Sequence, residues 1–127
     1  MVEIDLEKEK QEILRRYRGL LRAAVRSKSK QDRNRIRKAF DIALEAHKDM
    51  RRKSGEPYIY HPIAVAKICA EEIGLDTTSI MCALLHDTVE DTYITLDDIE
   101  NLFGNKERKV IDGLTKISGV FDYQSSS

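Results

Sequence analysis

The sequence predicts an all-α domain, a bundle of about five or six helices, on three observations. Apolar residues recur at three- and four-residue spacing along most of the chain. Capping residues and glycines interrupt those stripes at helix-length intervals. No segment shows the apolar–polar alternation of a half-buried strand.

Ile13, Leu14, Tyr17, Leu20, Leu21, Ala24 and Val25 form the first stripe, predicting a helix over about residues 6–26. Ser27–Lys30 has no apolar residue. Ser29, with Asp32 three positions on, resembles a capping box, so a second helix starts near Gln31. It carries Ile36, Phe40, Ala43, Leu44 and His47 on one face and runs out near Met50. Lys53 to His61, with a glycine, a proline and two tyrosines, reads as irregular or partly extended. Pro62 suits the first position of a third helix, which passes through Ile63, Val65, Ala66, Ile68 and Cys69 and stops at Gly74. Asp76 is a good N-cap for a fourth helix, apolar nearly all round from Ile80 to Leu85 and therefore central. Thr95 and Asp98 form another capping box, opening a short helix that Gly104 closes. A last helix from about Asn105 to Lys116 presents Val110, Ile111 and Leu114, whereas Phe121–Ser127 has no helical period and reads as a linker or an ordered chain cut short.

Of the 127 residues, 41% are hydrophobic and 35% charged, the balance of a globular domain rather than a disordered chain. The longest apolar run, Ile80 to Leu85, is far short of the roughly 18 residues of a spanning helix, so no membrane role is expected. The acidic start, Met1 to Asp5, has no apolar region behind it and predicts a cytoplasmic protein without a secretory signal. Cys69 and Cys82 lack a CxxC spacing and read as small buried hydrophobes. Twenty-two basic residues balance twenty-two acidic ones, but unevenly: residues 1–55 carry 17 basic and 9 acidic, the remainder 5 and 13. The basic residues between Arg15 and Lys38 are spread around helices and, with 6% aromatics and no Trp, do not suit base stacking; they read as a solvated face. Arg51-Arg52-Lys53, leading into Ser54-Gly55-Glu56-Pro57, is more pointed: three cations entering a turn suit a polyanionic ligand.

Three histidines carry the remaining chemistry. His47 lies in step with Ile36, Phe40 and Ala43 and reads as a core residue or one supporting a site. His61 sits beside the basic cluster, where packing explains it less well. His86 follows the most apolar stretch of the chain and opens His86-Asp87-Thr88-Val89-Glu90-Asp91. On a helix, His86 reaches Glu90 at four residues, and Asp87 reaches Glu90 at three and Asp91 at four, crowding carboxylates on one side. A divalent cation would relieve that repulsion, and imidazole with carboxylate suits Mn, Fe or Zn; such a metal would lower the pKa of a bound water while a nearby carboxylate handles the proton. The alternative, that these acids merely frame a helix C-terminus and pair with Arg or Lys, places them at the unfavourable end of the helix dipole.

Three ordered stretches, Arg52-Lys53-Ser54-Gly55-Glu56-Pro57-Tyr58-Ile59 with His61-Pro62, Leu84 to Thr92, and Asp112-Gly113-Leu114-Thr115-Lys116, closely resemble the N-terminal hydrolase domain of the RelA/SpoT homologues. These enzymes make and destroy guanosine tetra- and pentaphosphate, the alarmones of the bacterial stringent response. The resemblance covers about residues 36–122. It implies an all-helical HD-type phosphohydrolase that binds Mn²⁺ and removes the 3′-pyrophosphate, giving GDP or GTP plus pyrophosphate. Residue by residue, it implies metal ligands at His61, His86 and Asp87, a catalytic pair at Glu90 and Asp91 that orients or activates water, and nucleotide binding by Arg52 and Lys53 with Ser54 nearby.

By the same resemblance, residues 1–30 are a helical lead-in, 31–122 a hydrolase domain incomplete at its C-terminal side, and 123–127 a tail. The family's fourth metal ligand, an Asp in a motif resembling Arg-Leu-His-Asn, has no match in this chain; neither Asp112 nor Asp122 replaces it. The resemblance therefore implies a fragment of a bifunctional synthetase/hydrolase whose synthetase and regulatory domains lie elsewhere in the parent chain. Three readings of such a fragment stay open: a manganese-dependent alarmone hydrolase, active or weakened to inactivity by the truncation; a non-catalytic nucleotide-binding or regulatory module; or an HD phosphohydrolase for another nucleotide. If absent helices normally cover Ile80 to Leu85, an exposed apolar patch and a homo-oligomer are expected.

Overall fold

The computed structural model describes residues 5–126, with side chains described as far as Lys116. Met1–Ile4 and Ser127 lie outside the described residues, and with them most of the acidic start and the last residue of the expected tail. Six α-helices follow in order: α1 Leu6–Ala23, α2 Lys30–Ala46, α3 Tyr60–Ile68, α4 Thr77–Asp91, α5 Leu96–Leu102 and α6 Asn105–Ser126. The all-α expectation is met. Among the described residues the only extended pairing is one antiparallel bridge, Arg51 with Pro57.

Local chemistry sets most helix ends. Asp5, Ser29, Asp76 and Thr95 each accept a backbone N–H of the following first turn, and Thr95 with Asp98 completes a reciprocal capping box. At α3 the expectation is corrected. The helix begins at Tyr60, so Pro62 is its third residue rather than its first; its missing N–H is still one of those left unpaired in a first turn. His61 therefore belongs to the helix and not to the loop before it. Beyond Ile68 the chain widens into a π-helical turn, Cys69–Ile73, which Gly74 ends in the left-handed conformation at φ +70°. The last helix continues past Lys116, its predicted end, to Ser126, and so takes in the segment from Phe121 that has no helical period in the sequence. No proline interrupts it, and each added residue closes another backbone hydrogen bond.

α4 is the axis of the molecule, packed against α2, α3 and α6, while α1 covers α3 and α5 leans on α6. Its Ile80, Met81, Cys82, Leu84 and Leu85 are fully buried, meeting Leu20, Ile36, Phe40, Ile63, Ile99 and Ile111 in one core. Tyr17 stacks on Phe40 with ring centroids 4.2 Å apart, joining α1 to α2. The apolar patch expected at Ile80–Leu85 is thus not exposed: α2, α3 and α6 already surround that segment. Cys82 is buried, as expected, and burial pushes its thiol up to about 12; Cys69 is only partly covered. No helix among the described residues is long and apolar enough to cross a membrane.

Two polar contacts brace this core. Ser27 and Thr77, both buried, share a 2.6 Å hydrogen bond between their hydroxyls. Glu107 of α6, only 4% exposed, accepts from Arg35 of α2 at 2.9 Å.

Candidate metal centre and its cationic loop

The last two turns of α4 and the first turn of α3 face each other across a cleft. α4 stays helical through Asp91, so His86, Asp87, Glu90 and Asp91 lie on adjacent turns. One ligand atom from each of His86, Asp87 and Glu90 falls within 4.8 Å of the others. The imidazole of His61 reaches across from α3, its Nε2 3.5 Å from Oδ2 of Asp87. His86 Nδ1 lies 3.3 Å from Oδ1 of Asp87, and its Nε2 3.7 Å from Glu90. The cleft, about 310 Å³, is lined by His61, Pro62, Val65, Ala83, His86, Asp87 and Glu90.

The contact between His86 and Asp87 decides how these two groups titrate. The hydrogen bond from His86 holds the half-buried Asp87 carboxyl below its usual range, against the opposing effect of burial. Reciprocally, Asp87 raises the His86 imidazole, with the charges of Glu90 and Asp91 adding to it. The donor set, imidazole nitrogen with carboxylate oxygen, is one that Mn, Fe and Zn accept, and small side-chain movements would gather it on one ion. Chemically, the cleft can hold a divalent cation and position a carboxylate beside it.

Above the cleft sits the loop between α2 and α3. Gly55 N–H donates to the Arg52 carbonyl at 2.8 Å and Arg52 N–H to the Glu56 carbonyl at 2.9 Å, a tight hairpin whose last loop residue, Gly55, needs φ +91°. Arg52, Lys53 and Ser54 occupy its exposed tip. They line a groove of about 580 Å³ together with Arg51, Glu56, Tyr58 and His61. The three-cation cluster divides here. Arg51 is committed to structure, with both of its terminal nitrogens 2.8 Å from Glu9 of α1 and Nη1 also on the Gly55 carbonyl. Among the described residues, neither Arg52 nor Lys53 forms an ion pair, so both charges are presented to the groove.

Two further residues shape the site, of which only Tyr58 has no role predicted from the sequence. Tyr58 donates its hydroxyl to Asp87 at 3.2 Å and lies 3.4 Å from Asp91. Burial, then those two carboxylates, push the phenol well above its ordinary value, so it remains a donor. His47, assigned to the core or to a supporting place, is 2% exposed, contacts the Ala43 carbonyl through Nδ1 at 2.9 Å, and stacks on Tyr58 at 4.7 Å between centroids. The available signal was Tyr58 three residues before His61, the spacing that puts both on one side of the turn into α3.

The helical fold, the His-Asp pair on its central helix and the imidazole facing it define the class: residues 39–127 match the HD domain family, and the chain belongs to it. HD domains are metal-dependent hydrolases. Similar relatives narrow the class. The chain is 48% identical over 83 residues to the bifunctional (p)ppGpp synthase/hydrolase SpoT of Escherichia coli (strain K12), covering 65% of this chain and 12% of that protein. It is 47% identical over 90 residues to the guanosine-3′,5′-bis(diphosphate) 3′-pyrophosphohydrolase of Aquifex aeolicus, 71% of this chain and 13% of that one. A probable GTP pyrophosphokinase of Mycobacterium leprae is 47% identical over 85 residues, 67% of this chain and 11% of that protein. The resemblance to the RelA/SpoT homologues is borne out. The matched stretch is only about a tenth of the length of these relatives.

Proposed function

We propose that this chain is the hydrolase part of a stringent-response synthetase/hydrolase, removing the 3′-pyrophosphate of guanosine tetra- and pentaphosphate to leave GDP or GTP and pyrophosphate. The observation that carries this reading is that the cationic groove and the carboxylate–imidazole cleft share His61 as a wall. A polyphosphate laid in the groove has its end at the cleft.

In this reading His61, His86 and Asp87 hold Mn²⁺, with Tyr58 fixing the Asp87 carboxylate from outside. The metal, when bound, polarises a phosphoryl oxygen and makes water a better nucleophile at neutral pH. Glu90 and Asp91 orient that water and take its proton. Arg52 and Lys53, with the Ser54 hydroxyl, hold the anionic substrate and offset charge that builds on the departing pyrophosphate. The setting is the cytoplasm, and the parent chain supplies synthetase and regulatory domains.

The test is pyrophosphate release from guanosine tetraphosphate by the 127-residue chain, with Mn²⁺ and with chelator, beside His86→Ala. Manganese-dependent release, lost in His86→Ala, is expected. Full activity in His86→Ala would overturn the metal assignment. Alarmone binding in chelator without turnover would instead make the chain a nucleotide-binding module. Competition by GTP as strong as by the alarmone would move the reading to another nucleotide.

A further inference from the structure

Helix α3 has two working sides. His61 and Val65 face the metal cleft, whereas Tyr60, Ala64 and Lys67 face α1 across a second groove of about 330 Å³, completed by Arg15, Arg16, Gly19 and Arg22. Four cations line it. Glu12 holds two of them at the rim, 2.6 Å from Arg15 and 2.9 Å from Arg16, and the Arg16 guanidinium lies 4.0 Å above the Tyr60 ring. Lys67 has only a long pairing with Glu71, at 3.7 Å, and Arg22 forms no ion pair among the described residues.

Gly19 makes this more than a charged surface. A glycine in a helix interior costs stability, because its backbone loses more freedom on folding than that of alanine. Packing does not demand one here: a Cβ at position 19 would meet nothing nearer than 3.8 Å. The atoms it would meet are Arg22 Nη2 and Lys67 Nζ, both at 3.8 Å. Gly19 is itself buried, so two cations from different helices close over the place that a methyl would take. Like charges drawn to one point are unfavourable until an anion lies between them.

We propose that this groove is a second anion site, separate from the metal cleft, that takes a diphosphate group between Arg22 and Lys67 over Gly19, with Arg15 and Arg16 at the rim. Apolar surface for a nucleobase is scarce there, since Ile63 is 2% exposed and Tyr60 is capped by Arg16. The anion therefore carries the recognition. This inference does not depend on the reaction proposed above.

The experiment titrates inorganic pyrophosphate, and GDP in parallel, into the metal-free 127-residue chain with chelator present, following backbone amide shifts and heat of binding. The variants are Gly19→Ala, the pair Arg22→Gln with Lys67→Gln, and, as a control on the cationic loop, Arg52→Ala with Lys53→Ala. Gly19→Ala should raise Tm, as alanine in a helix does, yet weaken binding at least tenfold; the glutamine pair should do likewise, and the loop variant should leave the α1 and α3 shifts unchanged. Pyrophosphate binding without GDP binding assigns a free diphosphate; equal binding assigns the diphosphate of a nucleotide. Absence of shifts at α1 and α3, or binding that Gly19→Ala and the glutamine pair both leave intact, overturns the proposal.

Discussion

The Tyr58 hydroxyl donates to Oδ2 of Asp87 across 3.2 Å, tying the loop that carries Arg52 and Lys53 to the helix that carries the His-Asp pair. The ring behind that hydroxyl is itself clamped by the stacked imidazole of His47. The cationic loop and the carboxylate–imidazole cleft are therefore held to each other by one aromatic residue, and its removal should be felt in the cleft before it is felt in the fold.

Tyr58→Phe keeps the ring and its stacking and removes only the donor. Outer hydrogen-bond partners of metal ligands typically contribute tenfold to a hundredfold in affinity. Calorimetric titration with Mn²⁺ should show binding weaker by about tenfold, while urea denaturation of the metal-free protein shifts by less than about 1 kcal/mol.

Thr88 lies on α4 between the site residues, fully buried, and its hydroxyl has no hydrogen-bond partner among the described residues. Valine has the same shape without the unsatisfied group. Thr88→Val should therefore stabilise the protein by about 1 kcal/mol in urea denaturation. A loss of stability would show that the hydroxyl is satisfied in solution.

Arg35 is the counter-charge of the buried Glu107 and also reaches the Thr78 hydroxyl at 3.3 Å. Arg35→Met leaves the carboxylate buried and alone, a cost of about 2 kcal/mol, reduced from that of a fully buried pair because Arg35 is partly solvated. Adding Glu107→Met should recover much of the loss, and a double-mutant cycle by denaturation reads the difference.

Glu9 links α1 to the cationic loop through Arg51, and that hydrogen-bonded guanidinium holds the Glu9 carboxyl below its usual range. A lowered folded-state pKa contributes stability above the ordinary carboxylate range and loses it as pH falls through the folded value. Wild type should exceed Glu9→Gln by about 0.5 kcal/mol at pH 7, the scale of a solvated pair, and the gap should close as the pH falls below the ordinary carboxylate range and through the lowered folded value. A gap that persists or widens in acid would mean that Glu9 acts other than as a carboxylate.

The helices were legible where the signal is local. Ser29, Asp76 and Thr95 cap the helices they were expected to open, and Gly74 ends the π-helical turn after α3. His86, Asp87 and Glu90 gather because they are three and four residues apart on one helix, a spacing visible before any fold is known. Pro62 misled, since its preference for the first helical position is weaker than the turn that Tyr58 and Pro57 carbonyls already begin. Arg51 looked like its neighbours Arg52 and Lys53; Glu9, 42 residues earlier, separates it from them.

What the sequence alone determined was periodicity, caps and spacing: an all-α chain, a central apolar helix, and a histidine and acids on its final turns. Each depends on residues within about one or two helical turns, where backbone geometry fixes which side chains meet. Tertiary structure decided that Tyr58 and His61 face Asp87, that the groove behind Arg52 and Lys53 opens on that cleft, and that Gly19 lies beneath two cations. The meetings of Tyr58 and His61 with Asp87, and of Lys67 with Gly19, join residues from 26 to 48 positions apart, and they are set by how α1, α3 and α4 bury their apolar faces together. That packing constrains the whole core at once and leaves no local pattern for a single stretch of sequence to display.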